Sequence, residues 1–359
     1  MALSVIVGTA PPDVAAVGLS PLAELTAQLH ALTESEHHPQ ALPDEAMSGH
    51  PELLNAAYRW APLWAAYRAR FLGPFGRTLD RSLADELADV AALPMPLFAE
   101  CAGRAIRGSI DGPPLDRLLD HPGQQERLRQ AARGRSTGRT ELADRLVGSP
   151  EAFRTALLTF LEQYAATRFA ADWRVLRPRL QAEATRLRFR VRDQGLAAAL
   201  AELSPSAALL DEPARVVFDK LKDGVVHLDQ RPVLVVPSYY SWPHLIVKRE
   251  AGWPVIIQYG IRPGGGHGEV SLALLRSRLL VLADPARMRL CRLIAREPLT
   301  TSELARRSGM SEPQVSRHLR HLREVELVSS ERTGRLVHYQ LDLAAIRALG
   351  FDLELAIFR

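Results

Sequence analysis

The sequence predicts a mainly α-helical protein with a small antiparallel β-sheet and, at its C-terminal end, a winged helix-turn-helix. Three observations carry that prediction. Between Ser20 and Leu203 apolar residues return every three or four positions, the spacing of helices that bury one face. From Ala214 to Tyr259 the pattern changes to short apolar runs punctuated by Asp-Gly, Arg-Pro and Trp-Pro. From Thr300 to Leu341 two short, capped helical patterns precede two strand-like runs around a glycine.

The composition fits a globular protein: 47% of the 359 residues are hydrophobic and 24% charged. That length suits two or three domains, each large enough to bury a core. No apolar run is long enough to span a bilayer, and the start MALSVIVGTAPP lacks a basic n-region, so a cytoplasmic location is expected, with no membrane partner. Cys101 and Cys291 offer neither a disulfide framework nor metal-ligand spacing. Cys291 reads as a small buried hydrophobe, with a redox role as the less favoured reading. Charge is divided unevenly. Residues 271–345 hold thirteen arginines, no lysine and eight acids, a net +5, and residues 346–359 are neutral. The chain total of +4 therefore leaves −1 on residues 1–270. Positive charge gathered on one segment is what phosphate binding requires.

In chain order, Leu3–Val7 reads as a strand. Ser20 and Pro21 open a helix with Leu22, Leu25, Leu29 and Leu32 on one face. Residues 34–51 read as a loop, and its His37, His38 and His50 as solvated rather than metal ligands. Over Leu53–Tyr67 the spacing puts Trp60, Trp64 and Tyr67 on one helical face, as core or, less favoured, as a pocket lining. A helix over Ser82–Phe98 is expected to end near Pro94 and Pro96, followed by a loop over Arg104–Pro114. Gln124–Gly138 reads as a surface helix or mobile segment. Ser149-Pro150-Glu151 begins a helix carrying Phe153, Leu157, Leu161 and Tyr164, continuing to Leu203 with a kink or boundary at Pro178. Arg186, Arg188, Arg190 and Arg192 lie two apart and do not share a face, so they read as solvated charges rather than a second DNA patch.

The runs 216–218, 225–228, 233–236, 245–247 and 255–259 predict a small antiparallel sheet within 214–260, with Tyr239, Tyr240, Trp242, Trp253 and Tyr259 around it. Residues 263–270, with Gly264-Gly265-Gly266, read as a linker. They lack the Lys-Ser/Thr of a P-loop and the setting of a dinucleotide fingerprint. The expected organisation is a regulatory domain over 1–262, the linker, and a head over 271–359.

In the head, Thr300 and Glu303 stand in capping-box spacing before a helix over Thr301–Ser308, which Gly309 ends. Ser311 caps a second helix, 311–323, with Pro313 in its first turn and Val315, Leu319 and Leu322 on one stripe. Gln314, Arg317, Arg320 and His321 take the other face. Gln can pair with adenine and Arg with guanine in the major groove, so Gln314 and Arg317 are the candidate base readers. Ser311, with Arg332 and Arg335 on a wing over 328–340, suits phosphate contacts, which position without specifying.

The segment Leu282–Leu290, the run SELARRSGMSEPQVSRHLRHLRE and the run RTGRLVHYQL resemble the arsenical-resistance repressor (ArsR) family of bacterial winged-helix regulators. The resemblance covers about the last quarter of the chain. It implies a dimeric transcriptional regulator on double-stranded DNA, expected here to be a repressor, with Ser316 and His318 also near the DNA. Metal-sensing members carry cysteines in the first helix of the motif or His and Asp on the last. Thr301–Ser308 has no Cys or His and Ala344–Arg359 no His, so neither metal site is present. No cofactor is expected, and the N-terminal part leaves room for an unidentified small-molecule effector. That part resembles, on its SPLAEL start and strand run, an uncharacterised domain preceding ArsR-type heads in actinobacterial regulators. Two apolar rows predict a homodimer, with cover by the chain's own N-terminal part as the less favoured reading: Leu272, Leu275, Leu279 and Leu282 before the head, and Leu349, Leu353 and Ile357 at the end. The rival readings are an enzyme with an appended winged helix and a protein-docking winged helix. Against the first, no nucleophile motif or cofactor loop is found.

Overall fold

The computed structural model describes residues 2–8, 14–34, 47, 49–76, 78–109, 112–204, 207–211, 214–219, 224–228, 231–261, 272–333 and 336–358. The chain divides into two compact units, Met1–Gly265 and Gly266–Arg359.

The first unit opens with strands β1 (Ala2–Ile6) and β2 (Ala15–Val17). Helices α1 (Pro21–Thr33), α2 (Pro51–Trp60), α3 (Leu83–Ala92), α4 (Met95–Arg107), α5 (Pro122–Arg133), α6 (Thr137–Gly148) and α7 (Pro150–Tyr164) follow. A π-helical turn, Ala165–Phe169, joins α7 to the long helix α8 (Ala170–Ala201). Strands β3 (Ala208–Asp211), β4 (Ala214–Asp219), β5 (Gly224–His227), β6 (Val233–Ser238), β7 (Leu245–Lys248) and β8 (Val255–Gly260) complete the unit.

Two cores form. One gathers Leu22, Leu25 and Leu29 of α1 with Trp60, Trp64, Phe98, Phe153 and Phe160. The tryptophans are therefore core, not a pocket lining, with Trp60 edge-on to Phe153 and Trp64 stacked on Phe160. The other core sets Val5, Phe218, Val235 and Ile257 against Leu180, Ala184, Leu187 and Val191 of α8, a row at spacings of four, three and four. Buried polar groups tie β7 and the turn after β6 to the helical part. Lys248 donates to the carbonyls of Arg68 and Ala69 at 2.8 and 3.2 Å, and Glu24 accepts from the N–H groups of Tyr239 and Tyr240. Burial is the main cause that pushes Glu24 up to about 7 and Lys248 down to about 7.

Several sequence expectations change here. The strands make two four-stranded mixed sheets, β3-β4-β1-β5 and β2-β6-β8-β7, rather than one antiparallel sheet. β1 pairs parallel with β5, and β6 parallel with both β2 and β8. The signature of the second sheet is β6, VLVVPS, buried at every position: covered on both faces, it shows no alternation. The helix expected over Ser82–Phe98 is two, α3 and α4, with Pro96 in the first turn of α4, where a missing N–H costs nothing. α2 stops at Trp60, so Trp64 and Tyr67 lie beyond it. Gln124–Gly138 falls in α5 and the start of α6. Pro178 lies inside α8 without ending it; the break comes at Gly195, at φ 85° and ψ 164°. Three of the four arginines of the run are ion-paired, Arg186 with Glu183 and Glu202, Arg188 with Asp80 and Arg190 with Glu202, while Arg192 lies over the Phe189 ring. His37, His38 and the linker lie outside the described residues, and His50 precedes α2.

The second unit runs α9 (Leu272–Leu282), α10 (Pro285–Ile294), β9 (Leu299–Thr300), α11 (Thr301–Ser308), α12 (Glu312–Glu324), β10 (Val328–Thr333), β11 (Leu336–Leu341) and α13 (Leu343–Phe358). Its core joins Leu290, Cys291 and Ile294 to Leu304, Val315, Leu319, Leu322 and Leu327. Cys291 is a buried thiol, pushed up to about 11 by that burial.

Candidate nucleic-acid interface

Two helices and a turn set the geometry. Thr300 caps α11: its hydroxyl accepts from the Glu303 N–H, and the Glu303 carboxylate accepts from the Thr300 N–H at 2.8 Å. Those donors hold Glu303 below the usual carboxylate range. Gly309 takes φ +75°, a left-handed conformation that redirects the chain in one residue. Ser311 then starts α12. Val315, Leu319 and Leu322 bury their side chains and fix its rotation about its own axis. β10 and β11 form the wing, registered from Val328 opposite Leu341 to Thr333 opposite Leu336, and β9 adds a third strand against His338 and Tyr339.

Successive residues on a helix turn by about 100°, so Arg317 stands almost opposite the buried stripe. It is exposed and has no hydrogen bond or ion pair among the described residues. Arg320 and His321 flank it, both exposed and both facing Glu324, at 3.7 and 3.2 Å. Gln314 is exposed but not idle: its amide oxygen accepts from the N–H and the hydroxyl of Ser311, each at 3.0 Å. This is the third-residue half of a capping box, leaving the amide NH2 of Gln314 as its outward donor. Ser316 is exposed on one flank. His318 is half-buried on the other; Asp284, the cap of α10, is held below the usual carboxylate range chiefly by the Arg287 N–H, with His318 the smallest contributor. Arg332 is exposed on the wing. Arg335 lies outside the described residues.

The structure adds residues that sequence reasoning passed over. Arg323 is exposed and unpaired among the described residues, on the row Ser316–Arg320–Arg323 at spacings of four and three. That spacing was visible in the sequence. Arg278 was not: it is 4% exposed and its Nε donates to the Val325 carbonyl at 2.9 Å. Its guanidinium also faces Glu326 at 3.6 Å and the buried Asp352 of α13 at 3.9 Å. One arginine of α9 thus grips both the turn that ends α12 and the last helix.

The expected self-association rows are placed unevenly. Leu275 is buried within the chain itself, and Leu282 packs against the head's core. The α9 row is therefore not one outward stripe. A row spaced three and four drifts round the helix, and Arg278 beside Leu275 turns that part inward. Leu272, Leu279, Leu353 and Ile357 are exposed, and Leu349 is half-buried. Among the described residues, no three His, Cys, Asp or Glu side chains are arranged to hold a metal ion, and no helix is long and apolar enough to cross a membrane.

Comparison with known proteins follows the same division. Residues 1–264 match a family of unknown function (DUF5937), and residues 282–331 match a helix-turn-helix domain. Over 60 residues the chain is 47% identical to a transcriptional repressor SmtB homologue of Synechocystis, covering 17% of this chain and 46% of that protein. Over 73 residues it is 40% identical to the HTH-type transcriptional regulator Rv2034 of Mycobacterium tuberculosis, covering 20% and 68%. The chain spans about half the length of the SmtB homologue, and likewise of the arsenic resistance regulator ArsR1 of Pseudomonas putida, to which it is 44% identical over 61 residues, 17% of this chain and 48% of that one. Among solved structures, an ArsR-like regulator from Rhodococcus is 29% identical, covers 23% of this chain and 77% of its own, and has a TM-score of 0.22. Matched over most of its length by the one model and at its end by the other, the chain belongs to the family of unknown function DUF5937 and carries a C-terminal winged helix-turn-helix of the ArsR family.

Proposed function

We propose that this protein is a sequence-specific DNA-binding transcriptional regulator, acting as a homodimeric repressor, with α12 in the major groove and the wing on the backbone. The observation that carries the reading is Arg317: exposed, unpaired among the described residues, and held opposite a fully buried stripe on the helix after a three-residue turn. A guanidinium so presented can take both major-groove acceptors of guanine. Arg320, Arg323 and Ser316 beside it, and Arg332 on the wing, suit phosphates. Ser311, Gln314 and His321 complete the contact surface in this reading. His318 contributes from the side, where it is half-buried. Relatives named as repressors support the direction of control. The chemistry proposed is recognition rather than catalysis, with the N-terminal unit governing the head.

Selection of bound sequences from a random DNA pool tests this directly. The full chain is expected to enrich one motif with two related half-sites. Arg317→Ala should weaken binding to that motif by about 1–3 kcal/mol and relax preference at one position of each half-site. Equal loss on specific and random DNA would assign Arg317 to the backbone instead. A pool that enriches nothing would sink the regulator reading.

A further inference from the structure

The N-terminal unit contains an elongated groove of about 800 Å³ that the DNA-binding reading does not use. One wall is α3, whose Ala84, Ala88 and Ala91 are exposed along it. The other is the rod formed by α7, the π-turn and α8, which presents Ala166 and Ala170. Leu83, Leu87, Leu158, Phe169 and Trp173 line it between those walls. The small alanine side chains on the two facing walls leave the groove open between them. The π-turn lies in the wall itself, and such insertions inside helices recur at functional sites. Trp173 packs against both cores of the unit, so the groove follows the seam where they meet.

The volume falls within the roughly 300–1,000 Å³ of small-molecule sites, which are mostly apolar with a few placed polar groups. The polar groups here sort by their partners. Asp80 is paired with Arg188, and Arg81 with Asp89. Glu162 and Arg177 have no partner among the described residues. They stand fifteen positions apart on the rod, on the order of 20 Å at 1.5 Å per residue, so one end of the groove carries a free anion and the other a free cation.

We propose that this groove binds an elongated, apolar small molecule with a single anionic group, a carboxylate of the fatty-acid or aryl-alkanoic class. Its body lies over Phe169 and Trp173, and its head meets Arg177. Glu162 sets the orientation by repelling the same head from the far end. The proposal concerns the N-terminal unit alone and stands or falls separately from the reading of the head.

The test is calorimetric titration of the full chain with decanoate below its micellar concentration, and with decan-1-ol as the uncharged counterpart. Saturable binding of decanoate near one per chain is expected, tighter than decan-1-ol by fivefold or more. Arg177→Ala alters an exposed residue, so the fold is expected to hold; it should remove that preference while leaving decan-1-ol binding unchanged. Ala88→Phe and Ala166→Phe, at exposed wall positions, should each weaken both ligands at least tenfold. A circular dichroism spectrum matching the parent confirms that each variant is folded. Absence of saturable decanoate binding overturns the proposal, as does binding that the folded wall variants leave intact. So does a groove occupied by a second copy, which would show as wall variants that shift sedimentation instead of ligand affinity.

Discussion

At the scale of single residues, Gln314 carries two duties. Its amide oxygen closes the start of α12 on Ser311, while its NH2 faces outward. Substitutions separate the two. Gln314→Ala should lose the capping contribution, about 1 kcal/mol of head stability, along with any base contact. Gln314→Glu should keep the cap, since a carboxylate accepts the same hydrogen bonds, yet place a negative charge beside the phosphates. The expected result is near-parent urea unfolding with clearly weaker DNA binding. A Glu variant that unfolds as early as the Ala variant would show that the cap does not hold α12. Gln314 was readable as an exposed polar residue, but its engagement follows from its third-residue position, a local rule available without coordinates.

At the scale of elements, Arg278 decides how the outer helices meet the reading helix. It is buried on α9, donates to the Val325 carbonyl where α12 ends, and faces Asp352 on α13. Removing one partner of a buried pair costs about 3–5 kcal/mol. Arg278→Ala is therefore expected to destabilise the head by roughly that amount in urea denaturation. Arg278→Met with Asp352→Leu should recover much of it, because apolar replacement of a whole buried pair is often neutral or stabilising. If the double variant is no more stable than Arg278→Ala, the hydrogen bond to Val325 carries the contact and the pair with Asp352 does not.

At the scale of the whole molecule, two predictions concern assembly and pH. Leu272 and Leu279 on α9, with Leu353 and Ile357 on α13, are large apolar side chains left exposed on two helices that contact each other. A two-fold contact between copies would cover them. Leu279→Glu combined with Ile357→Glu should convert a sedimenting dimer to a monomer and reduce DNA affinity; a monomeric parent at DNA-binding concentrations would refute the dimer. The pH dependence belongs to the N-terminal unit. Glu24 and Glu86, both buried, are pushed from 4.5 up to about 7, chiefly by burial. The unfolded chain releases these protons near 4.5 and the folded chain near 7, so their contribution is fullest below 4.5 and is lost as pH rises to 7. Lys248, pushed down from 10.5 to about 7 by burial, works in the opposite sense and restores stability from 7 upward. The calorimetric unfolding temperature should fall between pH 5 and 7, and Glu86→Gln should flatten that fall. A parent slope retained in the variant would assign the effect to other groups.

The sequence by itself determined the parts whose causes lie within a few residues. The capping box at Thr300 and Glu303, the left-handed Gly309 and the Val315–Leu319–Leu322 stripe are local, so the limits of α11 and the face of α12 could be read directly. So could the long helical pattern after Ser149, though not its π-turn, because an inserted residue leaves no mark in an apolar spacing of three and four. Tertiary structure alone decided the sheets. β1 finds β4 and β5 more than two hundred positions away by burying the face that carries Leu3, Val5, Val216 and Phe218, and β2 joins β6 at similar distance, where β6 is buried at every position. It also decided which α9 residues face outward. Leu275 and Leu279 are alike in sequence; Leu275 shares the buried side of α9 with Arg278, whose partners at Val325 and Asp352 lie far along the chain. A side chain's neighbours along the helix set its spacing, but only the partners that fold against it decide whether it meets water.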